Sequence, residues 1–298
     1  MKVAKIIATC FNPRKVVEKT TLVGNPIGFF SHSQNFSTSK EIINLLDYNI
    51  KLEKKCNPGA ERDIIIVNSN VNSMEGNNFI NEISGTKIPG GQIICLTREN
   101  IGRSFGSFSD AFAKYKDNYD FFLFTEDDII IAKDNYLKIG LDLWHANEKC
   151  GFIAYISTTK IGKWHWEPLN LDSKTAYSCH GATGLSSSKV LKEVFKKHGC
   201  LPHYKGAEYY SDITYGEVAF PNSILQLGYK LIDLPKNAIL SIPAYDLMRN
   251  IQYRKYPNFF EKINFITKSN LYKLAFQTKF TLKIYIYIIN FIKKFYKR

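Results

Sequence analysis

Four apolar runs constrain this chain more than anything else in it: VAKIIATCFNP (3–13), RDIIIVNSN (62–70), QIICLTREN (92–100) and YDFFLFTEDD (119–128). Ile, Val and Phe follow one another with little alternation, which suits strands covered on both faces. Each run ends in polar residues. Between them SKEIINLLDYNI (39–50) reads as a helix, and IGRSFGSFSDAFAKYKDNY (101–119) repeats Phe105, Phe108, Phe112 and Tyr115 at helical spacing. Strand–helix alternation of this kind predicts a doubly wound, mostly parallel α/β sheet flanked by helices. Ligands bind such sheets beyond the carboxyl ends of the strands. TCFNP, NSN, TRENIGR and TEDD should therefore meet at one edge.

The fourth run closes on three consecutive carboxylates, Glu126, Asp127 and Asp128, before Ile129–Ile131 resumes an apolar strand. Neighbouring like charges raise one another's pKa unless a cation sits among them. In extended backbone residues two apart face the same way, so Glu126 and Asp128 should point to one side and Asp127 to the other. Hard oxygen donors with no His or Cys cluster nearby suit Mg²⁺ or Mn²⁺. A solvated acidic turn is the plainer alternative.

Past residue 150, CGFIAYIST and YKLIDLP read as strands, SSKVLKEVFKKHG and EVAFPNSILQLG as helices. Proline is best tolerated in the first turn of a helix, so Pro221 places a helix start close to Glu217. GKWHWEP (162–168) sets Trp164 and Trp166 beside His165, as a sugar-stacking platform or as core. The six cysteines are scattered without a C-x-x-C pair, which argues for reduced, buried thiols rather than a zinc site or disulfide framework. The first residues read as a strand, not a signal peptide.

Charge is uneven. Residues Arg249–Arg298 hold 12 Lys and Arg against one acid, Glu261, which leaves 28 basic and 26 acidic residues in the first 248. The net +13 therefore sits almost entirely in the tail. A basic stripe on the folded body, expected of a nucleic-acid binder, has no counterpart in so balanced a composition. The tail's apolar stretch (282–292) is too short to cross a bilayer. Wound as a helix, Lys279, Lys283, Lys293, Lys294, Lys297 and Arg298 fall within a sector of about 140°. That pattern fits an in-plane helix drawn to anionic lipid. A helix docked on the body and an edge strand, from the alternation in KIYIYI, are the other readings.

Taken in order, these landmarks resemble a GT-A-fold glycosyltransferase, closest to the family 2 group, over roughly residues 3–235. TCFNP resembles the first-strand nucleotide loop, which implies cofactor contacts from Thr9, Phe11, Asn12 and Arg14. IIIVNSN resembles the second-strand loop, with Asn68 where an acid usually meets the base and Asn70 beside it. RENIGRSFG resembles the loop and helix start, which implies a cofactor contact from Gly102 and sets Arg98 and Arg103 where the diphosphate would sit; a solvated surface role is the alternative for each arginine. LFTEDD occupies the D-x-D position. The resemblance implies Asp128 as ligand of a divalent metal, with Glu126 on ribose, metal or metal-bound water, and Asp127 in the same loop. YSCHGATGLSSSKVL resembles the acceptor-side turn, where Gly181, Ala182 and Gly184 let backbone approach a sugar and His180 completes metal or phosphate binding or serves structure. YGEVAFPNSILQLGYKLIDLP resembles the segment that carries the general base, here Glu217, with Asp212 in reserve; a dipole-complementing first-turn acid is the alternative for Glu217.

The resemblance implies a catalytic domain over 1–245, with a nucleotide-sugar half (about 1–130) and an acceptor half (about 131–245), and a Mn²⁺- or Mg²⁺-dependent, inverting transfer from a nucleotide-sugar to a hydroxyl acceptor. The charge and apolar pattern of 246–298 reads as a membrane-associating segment, and a glycan or lipid-linked acceptor of the lipopolysaccharide or capsule type, met on the cytoplasmic face of the membrane, would explain it. A catalytically silent fold of the same kind and a nucleotidyltransferase are the alternatives. No G-x-x-x-x-G-K phosphate loop is present.

Overall fold

The computed structural model describes residues 1–11, 39–127, 129–131, 134–156, 158–166, 169–203, 209–235 and 241–243. Asn12, Arg14, Asp128 and the basic tail lie outside the described residues, as do the side chains of His180 and Asp212. Residues Met1–Ser241 form one compact unit. In chain order it runs β1 (Lys2–Thr9), α1 (Ser39–Lys55), β2 (Glu61–Asn68), α2 (Met74–Ile83), β3 (Lys87–Ile88), β4 (Gly91–Thr97), α3 (Arg103–Tyr115), β5 (Phe121–Glu126), β6 (Ile129–Ile131) and α4 (Tyr136–His145). It continues with β7 (Cys150–Ala154), β8 (Thr158–Trp166), β9 (Leu171–Cys179), β10 (Gly184–Ser187), α5 (Ser188–His198), α6 (Tyr209–Leu225) and β11 (Lys230–Asp233).

Eight strands form one sheet in the order β11-β7-β10-β5-β1-β2-β4-β3. The four apolar runs are its centre: β5, β1, β2 and β4 are parallel neighbours, while β10 lies antiparallel between β5 and β7. This is the mostly parallel α/β sheet flanked by helices that the sequence predicts. Phe105, Phe108 and Phe112 of α3 pack on one face of it against Ala4, Ile6, Phe122 and Phe124, with Phe108 and Phe124 rings 5.1 Å apart. The other face is closed by Tyr136, Leu137 and Leu141 of α4 against Val3, Leu123 and Leu185.

Two elements depart from the sequence reading. The Trp-containing segment is one arm of a β8–β9 hairpin that stands apart from the main sheet. Trp166 is buried with Leu171 and Ala219, and Trp164 packs at the edge of the same cluster, so Trp166 is core. Helix α6 begins at Tyr209, not near Glu217, and carries Pro221 in its interior. Tertiary contact outweighs the proline: every residue from Gly216 to Ile224 is buried. Asn222 accepts from the Tyr177 amide (3.2 Å) and donates to the Tyr177 carbonyl (2.7 Å), bonding the helix to β9 as a neighbouring strand would.

Candidate active site at the strand tips

Strand register brings the polar tips together. Thr9 lies beside Asn68, Asn68 beside Thr97, and Ala8 beside Glu126. All four motifs therefore share the carboxyl edge of the sheet, where the strand order reverses around β1 and ligands bind in folds of this kind.

At the tip of β5 the acids divide as alternation predicts. Asp127 is 2% exposed; its amide donates to the Ala8 carbonyl (3.1 Å) and its Oδ2 accepts from Thr9 Oγ1 (2.6 Å). It staples β5 to β1, and Thr9 is its partner in that bond. Glu126 is directed elsewhere. Its Oε2 lies 3.2 Å from the point a Cβ on Gly181 would occupy, and Thr183 Oγ1 lies 3.4 Å from the same point.

Gly181 belongs to a single 3₁₀ turn, His180–Ala182, that leads into β10. Its φ of 55° and that of Ala182, 45°, are both left-handed, and in that region only glycine avoids a steric cost. From α6, Glu217 Oε1 accepts the Gly181 amide at 2.9 Å. Glu217 is 6% exposed and lies more than two turns inside the helix. The expected position at a helix N-terminus is thus corrected: what meets this carboxylate is a backbone amide, not a helix dipole. Gly184 has a packing reason, since a Cβ there would fall 2.4 Å from the Ile153 carbonyl.

On the β2–β4 side the loops are knitted to themselves. Asn68 is fully buried; its amide group donates to the Asn70 carbonyl (3.0 Å) and Asn77 Oδ1 (3.1 Å) and its Oδ1 accepts the Asn70 amide (2.9 Å). Asn70 Oδ1 in turn accepts the Asn72 amide at 3.0 Å. Expected to meet a base, Asn68 instead shapes the turn into α2. Phe11, expected beside the nucleotide, is fully buried against Gly76, where a Cβ would meet its ring at 2.3 Å. Arg98 spends Nε on Asp110 (2.5 Å) and Nη2 on the Ile101 carbonyl (2.7 Å), while its buried Nη1 has no hydrogen-bond partner. Gly102 caps α3 in left-handed conformation and Arg103 opens the helix. Ser69 and Ser107 share a hydroxyl bond of 2.7 Å that ties β2 to α3.

Sequence reasoning missed Thr183, whose hydroxyl is buried and unpartnered beside Glu126 and Gly181. Its one signal was a hydroxyl residue between two glycines of a small-residue turn. Glu126 and the Thr183 hydroxyl bring only oxygen atoms to this turn, the donor type that suits a hard divalent cation better than zinc. Among the described residues no group of three or more His, Cys, Asp or Glu is arranged to hold a metal. Burial pushes the thiols of Cys56, Cys95 and Cys150 up to about 11 and that of Cys179 well above its ordinary value, so these four stay protonated at neutral pH.

No family model matches the chain, and no curated protein sequence does. Among solved structures, S. aureus TarS 1–349 is 11% identical with a TM-score of 0.43, over 89% of this chain and 68% of that one. The mannosyltransferase PcManGT from Pyrobaculum calidifontis, in complex with GDP-Man and Mn²⁺, is 11% identical with a TM-score of 0.46, over 92% and 72%. The 4-diphosphocytidyl-2C-methyl-D-erythritol synthase of Anaerococcus prevotii is 11% identical with a TM-score of 0.42, over 86% and 98%. Likenesses this distant carry no argument about activity, which has to rest on the chain's own residues.

Proposed function

We propose that this chain is a glycosyltransferase that moves a sugar from a nucleotide-sugar to a hydroxyl of a glycan or lipid-linked acceptor. One observation carries the reading: Glu126, at the tip of β5, faces a turn freed of side-chain bulk by Gly181, on the edge where the tips of β1, β2 and β4 also end. The two phosphates of the donor lie along that edge, and the buried, unpartnered Nη1 of Arg98 is a donor on its β4 side. Glu126 and Asp128 would hold a Mn²⁺ or Mg²⁺ ion. Such an ion offsets the charge that develops on a departing diphosphate.

In the transfer itself the acceptor oxygen bonds to the anomeric carbon and its proton passes to a carboxylate base. The bond from that carbon to the phosphate oxygen breaks, and the nucleoside diphosphate leaves with the electron pair. Attack from the face opposite the leaving group inverts the carbon. Two α6 carboxylates are candidates for the base, Glu217 and Asp212. The body over 1–245 carries the chemistry, and the basic segment 246–298 holds it against anionic lipid on the cytoplasmic face of the membrane, where a lipid-linked acceptor of the lipopolysaccharide or capsule type would be met.

A thermal-shift screen of the common nucleoside diphosphates, with and without Mn²⁺, tests the reading. The expected outcome is a Mn²⁺-dependent rise in Tm with one nucleotide, abolished in Asp128→Ala and reduced in Glu126→Ala. No shift with any nucleotide would leave a silent sugar- or partner-binding fold as the better account.

A further inference from the structure

Two carboxylates from different elements meet at one glycine. Glu217, rooted in the buried interior of α6, accepts the Gly181 amide at 2.9 Å. Glu126, at the tip of β5, has Oε2 at 3.2 Å from the place Gly181 leaves open by lacking a Cβ. The turn between them is costly to hold. Gly181 and Ala182 are successive left-handed residues at φ 55° and 45°, and such conformations persist only where the surroundings over-determine them. The hydrogen bond from the Gly181 amide to the Glu217 carboxyl is one such constraint. Beside the turn, the fully buried hydroxyl of Thr183 has no partner and lies 3.4 Å from the same open place.

We propose that Glu217 is a positioning residue: through the Gly181 amide it fixes the 180–182 turn against Glu126, and so sets the geometry in which Glu126 and Thr183 present oxygens to a divalent cation. This rests on the proposed function and assigns the proton-accepting role away from Glu217. A glutamine at position 217 keeps an oxygen that accepts the Gly181 amide, but it is no base. Alanine keeps neither property. A group acting only as base on the acceptor would leave cation affinity unchanged in both variants, so the pair separates the two roles.

The experiment uses the full chain as wild type, Glu217→Gln and Glu217→Ala, each first checked for a cooperative thermal transition. Mn²⁺ alone is titrated by electron paramagnetic resonance, and amide exchange of the 177–184 peptide is followed by mass spectrometry. Glu217→Gln is expected to keep slow exchange and to bind Mn²⁺ within about threefold of wild type. Glu217→Ala is expected to exchange fast and to bind Mn²⁺ at least about tenfold more weakly, the scale typical when the support of a metal ligand is removed. Wild-type Mn²⁺ affinity in the alanine variant, or a glutamine variant as weak as alanine, overturns the positioning role and leaves the proposed function standing. Absence of Mn²⁺ binding by the wild type overturns both.

Discussion

The most exacting single residues in this fold lie away from the candidate site. Lys5, Glu53, Arg62 and Tyr136 are all buried and share one cluster. Glu53 receives Lys5 Nζ at 2.5 Å, Arg62 Nη2 at 2.6 Å and the Tyr136 hydroxyl at 3.0 Å, while Lys5 also sits over the Tyr136 ring. Burial works to raise the Glu53 pKa, but the charges of Lys5 and Arg62 and their hydrogen bonds outweigh it and hold the carboxyl below its ordinary 4.5. A folded-state value below the unfolded one stabilises the protein fully above pH 4.5 and is lost as pH falls through the folded value. Removing the one anion strands two buried cations, and breaking a buried pair in this way costs about 3–5 kcal/mol. Glu53→Gln should therefore lower stability by about that amount at pH 7 in urea melts, and its stability should fall less steeply below pH 4.5 than that of wild type. What acid sensitivity remains would come in part from Asp63, held low against its own burial by Lys2, Tyr119 and the Gln92 amide. A variant as stable as wild type at pH 7 would mean that the cluster is not closed.

At the scale of elements, α6 shows what local rules miss. Pro221 argued for a short helix beginning near Glu217, yet the helix starts at Tyr209 because its whole second half is buried, with β9, the 180–182 turn, β7, β11 and α5 packed on the helix. Gly216 permits the close approach of α3, where a Cβ would lie 2.4 Å from the Phe105 ring, and Asn222 bonds both backbone groups of Tyr177. Truncation in Asn222→Ala leaves a part-buried amide and carbonyl of Tyr177 without these bonds, which should destabilise by about 1–2 kcal/mol. Urea melts check it, and a loss below about 0.5 kcal/mol would rule out the bridge as an anchor. The same contrast explains what was legible beforehand. β1, β2, β4 and β5 could be read because unbroken Ile, Val and Phe have few uses other than a doubly covered strand. The division of Glu126 from Asp127 could be read because a two-residue period belongs to any extended chain. The packing of Asn68 and Phe11 could not be read: the bond from Asn68 to Asn77 and the seat of Phe11 on Gly76 depend on where α2 docks, and local sequence does not state that. Thr183 was hidden for a similar reason, since its importance comes from having no partner in a finished core.

For the whole molecule the decisive quantity is how charge is divided along the chain. A body carrying 28 basic and 26 acidic residues has little long-range attraction for polyanions, whereas the last 50 residues carry 12 basic groups against one acid. No described helix is long and apolar enough to cross a membrane; for the tail we propose an association through surface charge reinforced by apolar side chains. Each Lys or Arg near an anionic leaflet contributes about 1 kcal/mol at most, and the attraction falls off within a Debye length. Full-length protein should therefore co-sediment with phosphatidylserine-containing vesicles at about 0.1 M salt, where screening extends to about 10 Å, and release substantially at 1 M, where it shortens to about 3 Å. Replacing Lys293, Lys294, Lys297 and Arg298 together by glutamine should weaken that binding by at least about tenfold, a conservative fraction of four such contributions. Neutral phosphatidylcholine vesicles supply the control for apolar insertion, and duplex DNA at equal charge supplies the control for a polyanion of another kind. Retention on DNA but not on vesicles would assign the tail to nucleic acid. Equal binding to neutral and anionic vesicles would assign it to its Ile, Tyr and Phe side chains, with the lysines serving only to keep them wet.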